Sequence, residues 1–139
     1  MIEIVNEEAA FRLSFIEKIE EPEERRLDLI KCWLEIKDSS ISLSCQCDLT
    51  LLDLDDFRHG LTTFYADLLN GIAPKDYYFE PREPVLRLEV LKVRDADYCG
   101  LNFIVRPDLT DGWTLHGGIA IDQSYFPSLL QGIDALLNT

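Results

Sequence analysis

The sequence predicts a single two-layer α+β domain over residues 1–139, with a predominantly antiparallel sheet of about six strands carrying two amphipathic helices on one face. Three observations predict it. The chain has 139 residues, near the usual size of one domain and too short for two ordinary cores. Apolar residues recur with period two over most of the length, which places them on one face of a strand. In two segments the period changes to that of a helix.

The first strand is read from Phe11 to Ile19, with Phe11, Leu13, Phe15 and Ile19 on one face. Ile30, Cys32, Leu34 and Ile36 mark the second. The third is the clearest, because Ile41, Leu43, Cys45, Cys47, Leu49 and Leu51 alternate with Ser42, Ser44, Gln46, Asp48 and Thr50. Lys37 to Ser40 supplies the turn of an antiparallel hairpin between these two strands. Helix spacing follows in Phe57, Leu61, Phe64, Tyr65 and Leu68, with Asp53 or Asp55 able to cap the start and Gly71 suited to the left-handed position after the end. Leu86, Leu88 and Val90 mark a fourth strand, and Cys99, Leu101, Phe103 and Val105 a fifth, joined through Asp95-Ala96-Asp97. Trp113, Leu115, Ile119 and Ile121 suggest a sixth strand with a bulge at Gly117-Gly118. The last helix carries Phe126, Leu129, Leu130, Ile133, Leu136 and Leu137. Ser124 is the expected cap, because it places Pro127 inside the first turn, where its missing N–H is harmless. Glu20–Arg26 and Gly71–Pro84 read as loops of the same domain.

Charge is the strongest compositional signal: 26 acidic against 13 basic residues give a formal net charge of −13. Nucleic acid is excluded as a partner on this reading, since a phosphate backbone needs clustered Lys and Arg and only Arg25-Arg26 are adjacent. Anionic lipid is disfavoured by the same argument, and no apolar run is long enough to span a bilayer. A negative field favours a cationic partner, although acidity can also serve solubility alone. The start Met1-Ile2-Glu3-Ile4 lacks the basic and apolar regions of a secretory signal, so a cytoplasmic location is expected.

Candidate chemistry is sparse, and no cofactor, metal or catalytic residue is expected. Cys45 and Cys47 are too close for the usual zinc pairing, and Cys32, Cys45, Cys47 and Cys99 all share the apolar strand faces, where a thiol behaves as a small hydrophobe. His59 reads as a solvated helix residue and His116 as lying on the outer face of its strand. Asp53, Asp55 and Asp56, like Asp95 and Asp97, are accounted for by helix capping and turn formation. Recognition chemistry remains. The solvent face of the sheet offers Trp33, Glu35, Asp48, Glu89, Tyr98 and His116, and the loop around Phe79 adds Tyr77, Tyr78 and Glu80, unless its aromatics fold back over the core.

The strand around Trp33, the segment Thr50-Leu51-Leu52-Asp53-Leu54, the helix close Leu68-Leu69-Asn70-Gly71 and the terminal Ile121-Asp122-Gln123-Ser124-Tyr125 together resemble the WapI-type immunity proteins of bacterial polymorphic toxin systems. The resemblance runs from about residue 25 to residue 138. It implies a non-enzymatic protein that binds and neutralises a cognate toxin domain. Many such toxins are nucleases with basic substrate channels, to which an acidic inhibitor is complementary. The competing expectation is a cytoplasmic ligand-binding or regulatory domain, which needs a lined pocket between helices and sheet.

Overall fold

Alternation in the first third of the chain builds one sheet of four antiparallel strands in sequence order: β1 (Ile2–Val5), β2 (Ala9–Ile19), β3 (Leu29–Asp38) and β4 (Ser42–Thr50). The structure, a computed structural model, describes all of residues 1–139. Side-chain carboxylates and amides fix the tight connections. Asn6 accepts from the amides of Glu8 and Ala9 at 2.8 Å, and Asp38 accepts from those of Ser40 and Ile41 at 2.7 Å. The register pairs Leu34 with Leu13 and Cys45, so one face collects Phe11, Leu13, Cys32, Leu34 and Cys47 in the core. Expectation fails at the end of β2. A register shift between Phe15 and Glu17 ends the simple alternation, and Phe15, Ile16 and Ile19 are all exposed.

β4 runs directly into α1 (Leu51–Leu69), and Thr50 caps it, not Asp53 or Asp55. The Thr50 hydroxyl accepts from the Asp53 amide at 3.1 Å while the Asp53 carboxylate accepts from the Thr50 amide at 2.9 Å, a reciprocal capping box. At the other end Gly71 takes φ 68°, as expected, and the amides of Gly71 and Ile72 close onto the carbonyls of Leu68 and Asp67. Leu54, Phe57, Leu61 and Phe64 form the buried face.

A second sheet follows in place of an extension of the first. Its strands are β5 (Tyr77–Phe79), β6 (Leu86–Lys92), β7 (Cys99–Val105) and β8 (Leu115–Ile121), again antiparallel and in order. The α+β class therefore holds, with eight strands divided between two sheets. Gly117-Gly118 is not a bulge, since the register is unbroken through Phe103↔Gly117 and Asn102↔Gly118. A Cβ on Gly117 would sit 2.6 Å from the Phe103 ring, and one on Gly118 2.5 Å from the Asn102 side-chain oxygen. Close approach explains both glycines.

A 3₁₀ turn (Gln123–Tyr125) leads into α2 (Phe126–Leu137). Asp122 caps that turn by accepting from the Ser124 amide at 2.8 Å, which corrects the expected cap at Ser124. The inserted turn still leaves Pro127 in the first turn of the helix, where no amide is needed. Both helices and both sheets share one cluster of 30 buried residues. Phe11 meets Phe103 at 6.2 Å between the sheets, Phe57 stacks on Phe79 at 4.5 Å, and Phe126 stacks on Phe64 at 5.7 Å. No helix is long and apolar enough to cross a membrane.

Candidate interaction surface

Strand parity decides which side chains leave the core, and the two sheets present separate polar faces. On the first, Trp33 lies across from Ser14 and Gln46, Glu35 across from Arg12 and Ser44, and Asp48 across from Lys31. Gln46 donates to both Asp48 oxygens, at 2.9 and 3.0 Å. The structure thus groups Trp33, Glu35 and Asp48 on one face.

The second face gathers Tyr78, Glu89 and His116, with Glu80 just beyond β5. Tyr78 pairs with Glu89, and Glu89 with Asn102, whose amide donates to the Glu89 carboxylate at 3.2 Å. These residues line an open depression of about 450 Å³ together with Arg87 and the Gly117 backbone. The Glu89 carboxylate, with smaller contributions from burial and Asp76, raises the Tyr78 phenol above its ordinary range. Tyr98 stands apart in the β6–β7 turn, where its carbonyl accepts from the Val93 amide at 3.2 Å.

Tyr77 turns the other way. Its ring fills the space above Gly60, stacks on Phe57 at 6.3 Å, and donates its hydroxyl to the Asp56 carbonyl at 3.3 Å. Burial, followed by the Asp56 charge, pushes its ionisation far up. Tyr77 and Phe79 thus fold back over the core edge and leave Tyr78 outward. Asn102, Arg87 and Trp113 also belong to the exposed set. Asn102 was legible, because the alternation Cys99, Leu101, Phe103, Val105 sends position 102 outward. Trp113, read as part of a strand, precedes β8 and is 59% exposed.

Seven ion pairs engage only seven of the 26 acidic side chains. Asp48, Glu80 and Glu89 are in none of them. The hollows of about 450 to 540 Å³ are all open to solvent, and no buried side-chain nitrogen or oxygen lacks a partner.

The four thiols are free, with Cys32, Cys47 and Cys99 buried and Cys45 partly covered. Burial pushes Cys32 up to about 12 from an ordinary 9.0, and Cys47 well above 9.0. Raised thiols favour the folded state while the unfolded chain keeps its protons. Their contribution is therefore complete below pH about 9 and is lost as pH rises toward 12. Iodoacetamide labelling at mildly alkaline pH should modify Cys45 first and reach Cys32 and Cys47 only through unfolding. Equal rates at all three would show that the inner face is open.

A family model described as the immunity protein WapI-like family matches residues 1–139, a wider span than the motifs noted above. No curated protein matches the chain by sequence. Among solved structures, WHY3 from Arabidopsis thaliana aligns with TM-score 0.51 and 12% identity over 97% of this chain and 84% of its own. The plant transcriptional regulator PBF-2 aligns with TM-score 0.51 and 12% identity over 97% of this chain and 86% of its own. At this identity the likeness is one of fold alone.

Proposed function

Because the chain belongs to the immunity protein WapI-like family, we propose that it neutralises a cognate bacterial toxin domain in the cytoplasm by binding it directly, without cofactor or catalysis. One observation carries the reading beyond the family: a net charge of −13 held largely by carboxylates that no internal cation engages. Acids left unpaired on two sheet faces, each beside an exposed aromatic ring, suit a basic protein surface. The same field opposes a nucleic acid partner.

The test is to look for a large secreted protein encoded immediately upstream and co-purify its C-terminal domain with this chain, followed by binding kinetics. Raising salt from about 0.05 to about 0.5 M should slow association at least about tenfold with little change in dissociation, because steering between charged surfaces is screened. Salt-insensitive association would remove the electrostatic part of the reading. Absence of any complex would remove the whole.

A further inference from the structure

Each sheet has two edges, and an unprotected edge is a template for a further strand. β1 and β5 are only four and three residues long, and α2 packs along β1 as α1 does along β5. β4 and β8 are longer. β4 carries Asp48, and its last residue, Thr50, is locked into the cap of α1. β8 has none of the usual protections: Leu115–Ile121 contains no Lys, Arg, Asp, Glu or Pro. Beyond its ladder to β7, no backbone group of this strand makes a hydrogen bond.

The side chains around β8 leave room for company. Its outward positions are His116, Gly118 and Ala120, and the β7 positions across from the last two are Asn102 and Gly100, so little side-chain bulk stands beside that part of the edge. Trp113 is exposed just ahead of the strand. A cleft of about 100 Å³ between β8 and the β3–β4 hairpin offers Ile41 and Leu115 as apolar contacts.

Resting on the immunity reading, we propose that the β8 edge takes an extended, basic segment of the toxin domain as a fifth strand of its sheet. Charge selects this occupant over a second copy of the chain. Two copies would each bring a net charge of −13 to the seam, whereas a cationic segment meets Asp108 and Asp111 at one end of β8 and Asp122 at the other. Main-chain hydrogen bonds would supply affinity and the flanking acids register.

Amide hydrogen exchange of the full chain, alone and with the C-terminal domain of the upstream-encoded secreted protein, tests the pairing. Binding should slow exchange across residues 113–121 by about tenfold or more and leave residues 42–50 unchanged. Ala120→Lys, which puts a repelling charge on the edge without touching the core, should weaken the complex by about tenfold, whereas Gln131→Lys, exposed on α2 away from both sheet faces, should change it little. A complex that leaves residues 113–121 unprotected, or protects 42–50 instead, overturns the pairing while the immunity reading stands. No complex at all overturns both. Protection of β8 in the isolated chain, rising with its concentration, would assign the edge to a second copy and also overturn the proposal.

Discussion

Phe126→Ala is expected to lower the free energy of unfolding by about 3–5 kcal/mol, the range for removing a large aromatic side chain from a packed core. Phe126 is 0% exposed and opens α2. Its ring stacks on Phe64 at 5.7 Å and on Tyr65 at 5.4 Å, both from α1, so one side chain fastens the two helices together. The void cannot close easily. Asp122 pins the turn before Phe126, and the ion pair between Arg58 and Asp134 holds the helices further along. Against the usual stability of a domain, about 5–15 kcal/mol, the loss is a large fraction. Urea denaturation should show a lower midpoint at an unchanged slope, and Phe126→Leu should lose less than half as much. A loss below about 1 kcal/mol for the alanine variant would mean that the helices are joined by something other than this stack.

Legibility followed the length of each pattern. β4 and α1 were readable because their periods persist over nine and 19 residues. β1 and β5 were not, since two isoleucines among four residues, or three adjacent aromatics, are too few to define a period. Parity tells which face of a strand is buried but not what covers it, so nothing local says that Phe11 meets Phe103 on another sheet. The bulge in β2 was hidden for a related reason: Phe15 and Ile16 are both apolar, and either register satisfies the pattern. Both caps were displaced by one structural event each, a strand that passes straight into α1 and a 3₁₀ turn inserted before α2.

The candidate surface was half readable. Trp33, Glu35, Asp48, Glu89 and His116 stand on outer faces as alternation requires. Alternation also separates Tyr77 and Phe79 from Tyr78, but three residues within a proline-bracketed segment are too few to mark a strand. The open edge of β8 had no sequence signal, because an edge is a property of the sheet order and not of the strand. Its charge-free composition acquires meaning only once β8 is known to have a neighbour on one side alone.

Gly132→Val is expected to cost about 3–6 kcal/mol through the loss of β1, whose two isoleucines each contribute about 1.5–3 kcal/mol by burial. Gly132 lies on the buried side of α2 against the start of the chain. A Cβ there would fall 3.0 Å from Ile2 Cα and nearer still to the Met1 carbonyl oxygen. Backbone atoms cannot rotate aside as a side-chain tip can, so either α2 or β1 must move. α2 is held by Phe126, Leu129, Ile133 and Leu136 in the core, whereas β1 is a four-residue edge strand paired only with β2. The strand should yield, exposing Ile2 and Ile4, which are now 1% and 0% exposed. Replacing a helix glycine ordinarily gains up to about 1 kcal/mol in propensity, so any stabilisation by Gly132→Ala or Gly132→Val would show that β1 is not seated on α2. The specific readout is exchange: amides of residues 2–5 should lose their protection in the valine variant while those of β3 keep theirs. Uniform loss across both strands would place the damage in α2 instead.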